Sequence, residues 1–207
     1  MAHSLKYLYA AIVVAAVLWY EMFSPWTSGN FNFWVMMSFS AVLLTSLALP
    51  FLRAHRVFFV WWRELLMGIG IAVLLWCVFW VGDKASSWMF DFARPQVDGI
   101  YNMKSGTPPW AIGLLLLFVI GPAEELFWRG FVQQRLWIRW GGNVAFVVTT
   151  LVYTLIHLWS FNFMLIMAAF TCGICWGLLY RLFPRHLPAI VISHALWDAA
   201  AFVWFPF

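Results

Sequence analysis

The sequence predicts an all-α fold, a polytopic membrane helical bundle of about seven transmembrane helices. Composition is the first ground: 65% of the 207 residues are hydrophobic and only 10% charged, a balance foreign to soluble domains of this length. The second is spacing, because apolar runs long enough to cross a ~30 Å hydrocarbon core recur at roughly 5–23, 31–52, 57–81, 110–138, 143–161, 163–182 and 187–205. With no internal repeat, linker or low-complexity segment to divide it, 1–207 reads as a single integral membrane domain.

The first run starts at Lys6 and continues into "WYEMFSPW" without a small-residue cleavage pattern, so it reads as an uncleaved anchor. The second and third runs are joined by a basic turn holding Arg53, His55 and Arg56. Arg63 and Glu64 open the third run as an anchoring pair that the interface solvates. The longest connection, 82–109, balances three acids against three bases around Trp88, Met89, Phe90 and Phe92. It reads as a helix lying on the outer leaflet, with gating of a substrate as the second reading.

The fourth and fifth runs form a hairpin turning at "WGGN". In the sixth, Cys172 and Cys175 make a C-x-x-C beside Gly173 and Gly177, whose small-x-x-x-small spacing points to close helix packing rather than redox or metal chemistry. Cys77 reads as a lone core thiol, and nothing implies a disulfide framework. His3, His55 and His186 read as solvated. Lys6, Arg53, Arg56, Arg63, Arg135, Arg139, Arg181 and Arg185 fall on one side of the alternating loops and Lys84, Arg94 and Lys104 on the other. The positive-inside rule then places the N terminus in the cytoplasm and the C terminus outside. The net charge of +4 is read as orientation and contact with anionic lipid, with no nucleic-acid footprint.

Against this background "GPAEELFWRGF" (121–131) stands out. An ionised side chain at bilayer depth costs roughly 2.5–3.5 kcal/mol on insertion scales, so each is a functional candidate. Glu125 and Arg129, spaced i, i+4, pair on one face, whereas Glu124 points about 100° away. An ion pair that only joins helices explains Glu125 and Arg129 and leaves Glu124 unexplained. Two further spans each carry a histidine with a partner one turn away: Tyr153 with His157, and His194 with Asp198. Glu124 lies 17 residues before Gly141 and His157 lies 16 after it, so the hairpin brings them to nearly equal depth.

Glu124-Glu125-x-x-x-Arg129, then Tyr153-x-x-x-His157, then His194-x-x-x-Asp198 on successive helices resembles the CPBP family of intramembrane proteases, also called the Abi or CAAX-protease family. The resemblance covers roughly 110–205, the protease-like core. Two positions depart from the pattern: the second motif usually opens with Phe, so Tyr153 adds a hydroxyl, and the last position is Asn or Asp. An ionised Asp198 would repel an oxyanion, so it is expected to be protonated or to orient His194.

The resemblance implies a catalytic cavity between the later helices and an intramembrane endopeptidase, and the absence of an H-E-x-x-H pair favours a reading without a cofactor. In it Glu124 activates water, His157 holds that water, His194 with Asp198 steadies the oxyanion, and Glu125 with Arg129 braces the helix behind Glu124. The alternatives are a zinc protease with Glu124, His157 and His194 as ligands, a non-catalytic bacteriocin-immunity or scaffold protein, and a proton relay in a transporter. The partners expected are the bilayer and a membrane-associated protein or peptide substrate, prenylated, lipid-anchored or carrying a sorting signal, in a prokaryotic plasma membrane.

Overall fold

The computed structural model describes residues 2–52 and 62–207, with side chains from Leu5 onward, and every regular element among them is helical. The readings placed on His3, Arg53, His55, Arg56 and the first residues of the third run, 57–61, lie outside these. The helices are α1 (Ala2–Phe23), α2 (Phe33–Ala48), α3 (Trp62–Met89), the short α4 (Ala93–Asn102), the long α5 (Pro109–Trp140), α6 (Gly142–Leu155), α7 (Phe163–Leu182) and α8 (Leu187–Ala199). All but α4 belong to the seven stretches long and apolar enough to cross a membrane. The exposed large side chains, Val13, Val35, Phe39, Leu66, Leu74 and Leu151 among them, are apolar, which is what a bilayer selects on an outer surface.

The three reversals between α5 and α8 each have a local cause. Gly141, at φ 80°, takes the left-handed conformation that closes α5 and lets α6 begin. Asn162 caps α7, its side-chain oxygen accepting from Leu165 N at 2.9 Å, while its amide donates to the Gln96 carbonyl at 2.8 Å and ties α4 to the same turn. At the opposite end Glu64 is buried; it pairs with His186 at 2.7 Å and accepts from Ala189 N at 3.2 Å, capping the first turn of α8. Glu64 is therefore a helix cap and His186 its partner, where the sequence suggested a solvated anchoring pair and a solvated histidine. An N–H at a buried helix start needs a partner, and the Glu64 carboxylate supplies one to Ala189.

α8 is gripped from two sides. A Cβ on Gly68 would fall 2.6 Å from Ile192 Cγ2, and one on Gly121 2.7 Å from Ala195 Cα, so α3 and α5 approach α8 as closely as backbone permits. α6 and α7 meet in the same way: Gly173 and Gly177 face Thr150, and the Thr150 hydroxyl donates to the Gly173 carbonyl at 3.2 Å. The packing role read for Cys172 and Cys175 fits this contact, with both thiols free. Cys77 is exposed on α3 and is not a core thiol.

The 82–109 connection differs from the sequence expectation. α3 runs on to Met89 past Asp83 and Lys84, because Asp83 is buried against Lys84 (3.1 Å) and Arg94 (3.4 Å) and its charge is answered inside the fold. What remains of the 82–109 connection is α4, packed against α3 and α7, with Trp88 outside at 87% exposure.

Candidate active site

α5 is not a regular helix where it carries its charges. The segment Gly121–Glu125 is flanked by π-helical turns, Leu116–Ile120 and Leu126–Gln133. Pro122 has no N–H to offer, and Gly121 N bonds to Leu116 O, one residue further back than in an α-helix. The wider turns, with the close approach of Gly121 to Ala195, set Glu124 and Glu125 against α8 at the level of His194.

Glu125 is the hub. Its Oε1 accepts from Arg129 Nη1 at 2.8 Å and from His194 Nδ1 at 2.7 Å, and both Glu125 and Arg129 are essentially without solvent contact. Arg129 also reaches the Cys172 carbonyl at 3.3 Å and lies over the rings of Tyr153 and Trp176 at 5.1 and 5.8 Å. The expected pairing of Glu125 with Arg129 is present, and its reach goes further than a brace within one helix, since it fixes a histidine on another. His194 stacks on Trp176 (centroids 3.8 Å, planes 18° apart), whose indole N–H donates to Ser193 Oγ at 3.0 Å. Its Nε2 lies 3.4 Å from Asp198 Oδ2, loose enough to turn toward a different acceptor.

Glu124 is buried and accepts from the Tyr153 hydroxyl at 2.9 Å, so the hydroxyl that departs from the family pattern is the group bound to the candidate base. His157 is held differently from the expectation. Its Nδ1 meets the Tyr153 carbonyl at 2.7 Å and its Nε2 accepts from the Trp19 indole N–H at 3.0 Å. A carbonyl only accepts and an indole N–H only donates, which fixes a neutral ring with its proton on Nδ1 and its lone pair in use. Trp19 sits near the C-terminal end of the apolar α1, one of 16 tryptophans, and no local pattern in the sequence singles it out.

Glu124, Tyr153, His157, His194 and Asp198 line one cavity of about 490 Å³, otherwise walled mainly by apolar and aromatic side chains of α3, α4, α7 and α8. Cys172 also borders it. At its outer end Asp83, Tyr101 and Phe207 complete the wall. There Arg94 bonds Asp98 at 2.7 Å, a partner that holds its guanidinium above the usual range, while burial pulls the Lys104 ammonium down.

Among the described residues no three His, Cys, Asp or Glu side chains converge as a ligand set, and the Trp19 indole engages the His157 Nε2 lone pair in this arrangement.

A membrane helical bundle with buried carboxyl and imidazole groups around an apolar cavity has the features of an intramembrane hydrolase. The comparison of sequences agrees in class: residues 106–200 match the family described as type II CAAX prenyl endopeptidase Rce1-like. Over that segment the chain is similar to the CPBP, or CAAX-protease, family, as its three motifs suggested. That family's description is of CAAX-type endopeptidases, and the similarity is to that class. No curated protein and no solved structure matches the chain.

Proposed function

We propose that the chain hydrolyses a peptide bond of a membrane-associated protein or lipidated tail, with Glu124 activating the water. The observation that carries this is the division of labour between adjacent carboxylates: Glu125 is spent on Arg129 and His194, while Glu124 faces the cavity held by a single hydroxyl. Glu124 takes a proton from water as the oxygen bonds to the scissile carbonyl carbon. The C–N bond then breaks, and the same carboxyl returns the proton to the departing amine. His194, fixed at Nδ1 by Glu125, turns Nε2 from Asp198 to the developing oxyanion, so Asp198 acts by orienting the ring. His157 serves the water once Trp19 releases its Nε2.

Glu124→Gln tests this. It preserves size and folding but cannot take the proton, so turnover of a cleaved membrane peptide is expected to fall by ~10²–10⁴-fold. A variant that folds normally and cleaves at the wild-type rate would overturn the assignment. The zinc reading has its own measurement: stoichiometric zinc in the purified protein, lost in His157→Ala, with activity restored by zinc after chelation, would replace the metal-free mechanism.

A further inference from the structure

Beyond its last turn, the π-helical Ala200–Trp204, the chain lays Phe205–Phe207 along the outer parts of α3 and α4. The polar contacts are made to main chain. Trp76 Nε1 donates to the Phe205 carbonyl at 2.9 Å, the Tyr101 hydroxyl accepts from Phe207 N–H at 3.0 Å, and Arg94 Nη1 donates to the Phe207 carbonyl at 3.3 Å. One turn earlier, Tyr101 donates to the Ala201 carbonyl and Lys104 to that of Phe202. The side chain that this segment turns into the cavity wall is Phe207, packed against Trp76 (5.5 Å) and Phe79 (6.2 Å, planes 20° apart). From there rings lead inward to the histidine: Phe79 on Trp197, Trp197 on Trp176, Trp176 on His194.

Groups that bind backbone carbonyls and N–H hold a peptide whatever its sequence, while a pocket for one side chain supplies the selectivity. We propose that Trp76, Arg94 and Tyr101 form a main-chain subsite for the substrate peptide, with the space between Trp76 and Phe79 taking a bulky apolar side chain. Residues 205–207 occupy that subsite as a tethered competitor. This rests on the proteolytic reading above and deepens it, since it names an extended peptide with an aromatic or large aliphatic residue as the ligand. The subsite and its occupant both lie outside the 106–200 family match. A tethered segment competes at an effective concentration in the millimolar range, so weak contacts suffice to hold it until a substrate displaces it.

The test uses the full chain in lipid nanodiscs and a fluorescein-labelled, C-amidated peptide Val-Trp-Phe-Pro-Phe, which copies residues 203–207. Binding is read in the Glu124→Gln background, so that no turnover intervenes. With the native segment the peptide is expected to bind weakly, and Phe207→Ala is expected to tighten it by about tenfold. Phe207→Leu, which keeps an apolar side chain, gives a smaller gain in the same direction. Adding Tyr101→Phe to Phe207→Ala is expected to abolish the gain, because with the ring gone the tail no longer competes and the loss of the hydroxyl falls on the peptide alone. Equal affinity with and without the Phe207 ring, or a gain that survives Tyr101→Phe, would overturn the subsite. With Glu124 restored, Phe207→Ala should lower KM and leave kcat unchanged. If the binding shifts appear but no membrane peptide is ever cleaved, the subsite stands and the proteolytic reading falls.

Discussion

His157 has one nitrogen on the Tyr153 carbonyl and the other under the Trp19 indole, so a water that needs its lone pair must first displace a buried donor. A net hydrogen bond of this kind is worth about 0.5–1.5 kcal/mol, a factor of up to about ten. Trp19→Phe keeps an aromatic ring and drops the N–H. It is expected to raise kcat/KM by several-fold, up to about ten, while metal content stays unchanged. A fall instead would mean that the indole holds the ring in its productive orientation. The limits of sequence reading are clearest at this scale. The Glu125–Arg129 pair was legible because i, i+4 is a local rule, and the distinct role of Glu124 followed from the same geometry. The bond from Glu125 to His194 spans 69 residues, and that from Trp19 to His157 spans 138. Contacts at such separations leave no periodic trace in the sequence.

Among the elements, α5 and α8 form the junction on which the site depends. Gly121→Ala would place a methyl group 2.7 Å from the Ala195 Cα, a backbone atom that cannot turn aside. The helices would have to separate, and overpacking of this kind costs typically about 1–3 kcal/mol. The expected result is a lower thermal midpoint together with loss of most activity, since His194 would leave the 2.7 Å contact with Glu125. Unchanged stability would show that α8 slides without cost. The apolar runs gave these elements correctly as spans, because length and hydropathy are one-dimensional properties. The continuation of α3 through Gly82-Asp83-Lys84 was hidden, since a charge in sequence looks solvated until its partner, here Arg94 on α4, is brought to it. The π-helical turns of α5 were signalled by Gly121-Pro122 only as a break, without its form.

At the scale of the whole molecule, basic residues collect at the end that holds the α5–α6 hairpin. Arg181 bonds Asn143 at 3.0 Å and lies over Trp137, and Arg135 lies over Phe51. At the other end Lys84 and Arg94 pair with Asp83 and Lys104 lies over Tyr101, and Asp83 and Tyr101 both border the cavity. By the positive-inside rule that end is expected to face outward. A cysteine introduced at Ser105 should react with an impermeant reagent added outside intact cells, and one at Asn143 should not. The reverse pattern would turn the protein over in the membrane. The buried pair on α5 has a consequence for biogenesis. Chains enter the bilayer from the N terminus as they are made, and α5 arrives before α8 has been synthesised. During that interval His194 does not exist for Glu125, and the carboxylate has Arg129, one turn away, as its counter-ion. The i, i+4 spacing thus lets α5 partition with one of its two acids already neutralised, and α8 later docks onto a carboxylate oriented in advance. The candidate site is then completed only once α8 has followed α5 into the bilayer.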